Sequence, residues 1–139
     1  MRVLALDYGS ARCGCAVSDP TGTLATPIEP VLRPASKAGL RALRELVAAR
    51  DVERVVVGLP LSLSGSDSDQ TRETRRFADR LRSAIGPAVP VDLYDERFTT
   101  AIAAQSGGPD AASSEDSRAA AVLLEDWLAR HGHEHGVRG

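Results

Sequence analysis

Three acidic residues in this chain stand where a carboxylate needs a reason. Asp7 ends the apolar run Val3-Leu-Ala-Leu and is followed at once by a tight Tyr-Gly-Ser turn. Glu96 follows Pro90-Val-Asp-Leu-Tyr-Asp, and Asp116 stands in the first turn of a strongly apolar C-terminal helix pattern. Taken singly, an Asp at a strand end is equally well explained by turn capping. Brought together, three carboxylates would repel one another, and at least one would hold a proton unless a cation neutralised the group. An all-oxygen donor set of this kind suits Mg²⁺ or Mn²⁺. Bound there, such an ion activates water and stabilises charge on a phosphoryl oxygen, and two ions can clamp an in-line displacement. That is the chemistry of phosphodiester hydrolysis.

Phosphate contacts have candidates of their own. Arg97 lies directly beside Glu96, and Arg12 follows Asp7 in the turn. Arg72, Arg76 and Arg80 recur at four-residue spacing, with Arg75 and Arg82 nearby, so they form a ridge along a helix. Such a ridge either tracks a phosphate backbone or is a solvated face paired with Glu73 and Asp79. Thr99 or Thr100 is expected to cap a short helix, whose first N–H groups beside Glu96 would point at a phosphate. Asp19 and Asp95 are second choices: turn chemistry accounts for Asp19, and strand alternation turns Asp95 away from Glu96.

The elements that must position these groups follow from periodicity. Val3 to Asp7 and Cys13 to Ser18 read as an antiparallel strand pair around a Gly9-Ser-Ala-Arg turn. Thr23 to Leu32 is extended but interrupted by Pro27 and Pro30, which places it at a sheet edge. Ser36 to Arg50 has helical apolar spacing and feeds the β-branched strand Arg54-Val-Val-Val-Gly. A loop follows, then a helix over Asp67 to Ile85 and a fifth strand over Val91 to Tyr94. Gly107-Gly-Pro is a break, and Ser113 or Ser114 caps a final helix buried through Ala120, Val122, Leu123, Leu124, Trp127 and Leu128. This order predicts an α/β fold with a mixed five-stranded sheet, an antiparallel meander joined to parallel strands and flanked by helices. In open α/β sheets, sites collect beyond the carboxyl ends of the strands, where Asp7, Gly58 and Glu96 all fall.

Composition bounds the rest. A chain of 139 residues that is 42% hydrophobic supports one domain with an adequate core, expected over 1–131, with 132–139 as a flexible tail around His131-Gly-His-Glu-His. The formal net charge of −2 excludes a global basic field, so polyanion binding would require a local arginine face. No apolar run is long enough to span a bilayer and no leader pattern opens the chain, so a cytoplasmic protein with no membrane partner is expected. Cys13 and Cys15 share one side of a strand and read as small buried residues.

The chain also resembles the YqgF/RuvX family, Holliday junction resolvase-like and pre-16S rRNA nuclease proteins with a ribonuclease H-like fold. The resemblance covers nearly the whole chain. It rests on Leu6-Asp-Tyr-Gly-Ser with Gly14-Cys-Ala-Val-Ser-Asp, on Val57-Gly-Leu-Pro-Leu-Ser with Gly65-Ser, on Asp95-Glu-Arg-Phe-Thr-Thr, and on Asp116-Ser-Arg-Ala-Ala-Ala-Val-Leu-Leu. It implies an acidic, metal-binding, catalytic triad at Asp7, Glu96 and Asp116, with Arg97, Thr99 and Thr100 as substrate or positioning residues. It further implies a metal-dependent nuclease acting on an rRNA precursor, with branched DNA as the alternative; a resolvase would act as a homodimer. Ala111 to Glu115 lacks the basic residue that the family usually carries there. Two other classes remain beside the nuclease: a non-catalytic nucleic-acid-binding module, and a nucleotide-binding ATPase-like domain suggested by Asp-Tyr-Gly-Ser. The latter superfamily uses two such domains around a cleft, and the length here supplies one.

Overall fold

The computed structural model describes residues 1–60, 68–95 and 115–138, and for 115, 116 and 132–138 the backbone alone. Five strands form one sheet: β1 (Val3–Asp7), β2 (Arg12–Ser18), β3 (Ala25–Leu32), β4 (Arg54–Leu59) and β5 (Val91–Asp95). Their order is β3-β2-β1-β4-β5. β2 pairs antiparallel with both β1 and β3, whereas β4 runs parallel to β1 and to β5. The expected mixed sheet is therefore present, with β1 at its centre and the proline-bearing β3 at an edge.

Three helices cover the sheet: α1 (Lys37–Ala49), α2 (Asp69–Ile85) and α3 (Glu115–Arg138). Strand alternation divides the core between two faces. Leu4, Leu6, Cys13, Cys15, Val55 and Val57 pack with Leu43 of α1 and with Phe77 and Leu81 of α2. Val3, Ala5, Ala16 and Val56 pack on the other side with Ala120, Leu123, Leu124 and Trp127 of α3. All six apolar positions expected to bury α3 are buried.

Helix starts are set by serine caps. The Ser36 hydroxyl accepts from the Gly39 N–H at 3.0 Å, and the Ser68 hydroxyl accepts from the Thr71 N–H at 3.2 Å. α2 consequently begins at Asp69, two residues later than the expected Asp67, because the extended Ser68 supplies the missing acceptor. It ends at Gly86, whose φ of 93° suits a residue without Cβ. The backbone of 132–138 continues α3, so no break in secondary structure marks the division expected at 131. The expected short helix near Thr99 and Thr100, the Gly107 break and the Ser113 or Ser114 cap lie outside the described residues. No described helix is long and apolar enough to cross a membrane.

Candidate active site

The parallel register brings three strand ends to one level. Asp7 pairs with Gly14 of β2. Because Leu6 pairs with Val57, the next step along β1 is level with Gly58, and Gly58 in turn pairs with Tyr94 of β5. Val3 and Ala5 pack toward α3, so alternation turns the half-buried Asp7 toward the same layer.

The start of α3 is pinned at this level of the sheet by one hydroxyl. The fully buried Ser117 Oγ accepts from the Cys15 N–H at 3.2 Å and donates to the Ile28 carbonyl. Cys15 lies directly across from Leu6, the residue before Asp7. The first turn of α3, which carries Asp116, is therefore held over β2 and β3 at the level of Leu6, beside the carboxyl end of β1 and in the layer toward which Asp7 turns. The side chain of Asp116 lies outside the described residues, as do Glu96, Arg97, Thr99 and Thr100; Asp95, the residue before Glu96, closes β5. Among the described residues no group of three or more His, Cys, Asp or Glu forms a metal cluster. What the described part contributes is a hard carboxylate oxygen donor at a strand end, the donor type that Mg²⁺ and Mn²⁺ take.

The opposite face of the same strand end is closed by Tyr8. Its ring stacks on Phe77 with centroids 4.5 Å apart and planes at 24°. Its hydroxyl donates to Glu73 Oε2 at 2.7 Å. Burial first, and the Glu73 carboxylate second, push the phenol up to about 12. The first turn of α2 is tied to the end of β4 by a hydrogen bond from the Thr71 hydroxyl to the Pro60 carbonyl. α2 is thus fixed at both β1 and β4.

The arginines divide by position. Arg12 opens β2 and is exposed. Arg72, Arg75, Arg76 and Arg80 are exposed on α2. Arg72 pairs with Asp69, and Arg82 pairs with Asp79 at 2.7 Å while its Nε donates to the Val91 carbonyl. The expected pairing with Asp79 thus occurs, whereas Glu73 turns inward to Tyr8. Cys13 and Cys15 are buried free thiols. The Cys15 thiol donates to the Cys13 carbonyl at 3.4 Å, and contact with Cys15 together with burial holds the Cys13 thiol well above its ordinary value. Both are packing residues.

Two positioning groups escape a reading of sequence alone. Ser117 resembles an ordinary helix-start serine, and nothing local announces its bond across to β2. Tyr8 left a fainter signal, an aromatic one residue past a strand end with opposite parity to Asp7, matched by the Glu73 and Phe77 pair one helical turn apart.

Comparison with known proteins extends the picture to the whole chain. A family model described as "RuvX: Holliday junction resolvase" matches residues 1–130. A "Putative pre-16S rRNA nuclease" of Koribacter versatilis is 38% identical over 137 residues, covering 94% of this chain and 88% of the relative. One of the same description from Streptomyces coelicolor is 44% identical over 133 residues, covering 91% and 79%. Among solved structures, Thermus thermophilus RuvC in complex with a Holliday junction substrate superposes with a TM-score of 0.59 at 18% identity, covering 95% of this chain and 96% of that one. The Fowlpox virus resolvase with Holliday junction DNA gives 0.51 at 9% identity, covering 92% and 99%. At such identities the structures establish the fold, a ribonuclease H-like sheet. The family model and the relatives, spanning nearly the full length, establish that this chain belongs to the RuvX family.

Proposed function

We propose that the protein is a divalent-metal-dependent nuclease that processes the precursor of 16S rRNA. The observation that carries this reading is the half-buried Asp7 at the carboxyl end of the central strand, turned toward the layer of α3, whose first turn bears Asp116 and is held over the neighbouring strands at that level. Family membership adds the reaction class, and the descriptions of the relatives favour rRNA over DNA.

Asp7, Glu96 and Asp116 would hold Mg²⁺ or Mn²⁺ through carboxylate oxygens. When bound, the ion supplies an activated water and charge stabilisation at the scissile phosphate. The chain's own residues do the rest. Arg97, Thr99, Thr100 and Arg12 orient the phosphate by hydrogen bonds. Ser117 holds the α3 turn in place, and Tyr8 closes the far side of the strand end against α2. Work on rRNA places the protein in the cytoplasm.

The test is a cleavage assay with Mn²⁺ on a 16S rRNA precursor fragment, a four-way DNA junction and single strands, each repeated with chelator. Chelator-sensitive cleavage of the precursor is expected. Cleavage confined to the junction would favour a resolvase, which needs a two-fold dimer to cut both strands. A protein that cuts none of them would overturn the reading.

A further inference from the structure

The nuclease site as described leaves α2 without a role in substrate handling. Yet α2 is bound to the residue next to Asp7 by two separate contacts, the Tyr8 to Glu73 hydrogen bond of 2.7 Å and the Tyr8 to Phe77 ring stack. Tyr8 is only 8% exposed and Phe77 is buried, so the ring stack is a core contact, with the half-buried hydrogen bond to Glu73 at its rim. Glu73, half-buried, and Phe77, buried, are one turn apart on the side of α2 that faces Tyr8. Arg72 and Arg76 each precede one of them by one residue, which rotates them about 100° onto the solvent side as an adjacent ridge. Arg76 lies close enough to the Tyr8 hydroxyl to oppose electrostatically the effect of Glu73 on it.

We propose that Tyr8 and Glu73 are positioning residues that fix the Arg72 and Arg76 ridge of α2 beside the carboxyl end of β1, where it holds the nucleic-acid backbone flanking the scissile phosphate. α2 covers the sheet face opposite α3, and Asp7 turns toward α3, so the ridge reaches neighbouring phosphates and not the reacting one. Charge complementarity selects the partner. In a chain whose formal charge is −2, α2 carries five arginines against three acids, and Glu73 is withdrawn to Tyr8. The proposal rests on the nuclease reading for the identity of the site but makes its own claim about binding.

Binding is therefore measured with cleavage disabled, as titration of a labelled RNA hairpin into the Asp7→Asn protein at several salt concentrations. Adding Arg76→Ala is expected to weaken binding and to lower the salt slope by about one. Tyr8→Phe keeps the ring stack but loses the hydroxyl, and should weaken binding by about fivefold, the scale of one hydrogen bond. It should also lower the slope, which a purely structural role would leave unchanged. Glu73→Gln keeps an acceptor for Tyr8 and should bind at least as tightly as its parent, whereas Glu73→Leu should behave like Tyr8→Phe. Combining Tyr8→Phe with Arg76→Ala should cost little more than Arg76→Ala alone. Fully additive losses, a Tyr8→Phe slope equal to the parent's, or no hairpin binding at low salt would each overturn the proposal. Absence of cleavage by the unmutated protein, with these couplings intact, would overturn only the nuclease reading.

Discussion

Two tyrosines, the only ones in the chain, take carboxylates as partners at the two sides of the site. Tyr8 donates to Glu73, and Tyr94 donates to Asp126 of α3 at 2.5 Å. Burial and then the neighbouring carboxylate raise both phenols from 10 to about 12. The folded state therefore favours the protonated phenol, and the stability this contributes is complete below pH 10 and lost as pH rises through about 12. An ultraviolet titration of tyrosinate should show both residues ionising near 12 in the folded protein and near 10 once it is unfolded in urea. Folded-state midpoints near 10 would remove both hydrogen bonds from the account. Ser117 makes a second prediction at this scale. Ser117→Ala strips the partner from the buried Cys15 N–H and the Ile28 carbonyl, and should cost about 1–3 kcal/mol in urea denaturation.

At the scale of elements, α1 shows how a local rule is reversed by its surroundings. Glycine inside a helix normally costs about 1 kcal/mol relative to alanine, so Gly39→Ala ought to stabilise the protein. Here a Cβ on Gly39 would lie 2.1 Å from the Arg33 carbonyl oxygen and 2.7 Å from the Pro34 Cα, both backbone atoms with little freedom to move. Gly39→Ala is therefore expected to lower the stability by about 1–3 kcal/mol, as overpacking does; a raised melting temperature would contradict the packing described. Elements of this kind were largely legible in the sequence. The strands β1, β2 and β4 are written in alternation and β-branching, Pro27 and Pro30 marked β3 as an edge, and the apolar stripe of α3 named its own core positions. What was not legible is contact between distant elements. No pattern in the chain says that Ser117 reaches Ile28 or that Tyr8 selects Glu73 over the arginines beside it, because such choices are made by packing in three dimensions. Within the candidate site, Asp7 could be singled out because a carboxylate ending an apolar run is conspicuous. The sequence places the α2 start at Asp67, whereas the helix begins at Asp69, because the extended backbone of Ser68 makes that residue the cap.

The whole molecule has two unlike faces around one strand end. The α3 face meets Asp7 and the turn bearing Asp116, while the α2 face presents exposed arginines. A protein with a net charge of −2 that binds nucleic acid through such a face should do so with strong salt dependence, and its affinity should fall steeply between about 50 and 200 mM salt. Titration of the RNA hairpin across that range checks this; a flat profile would deny the arginine face its part. In the proposed function Asp7 is a metal-holding catalytic carboxylate. The most direct test of that role compares the unmutated protein with Asp7→Asn, a near-isosteric change, in Mn²⁺-dependent cleavage of the 16S rRNA precursor fragment, with melting curves recorded on both. The predicted result is a fall in cleavage rate on the order of a hundredfold or more with the melting temperature retained. Equal cleavage by Asp7→Asn would contradict the claim.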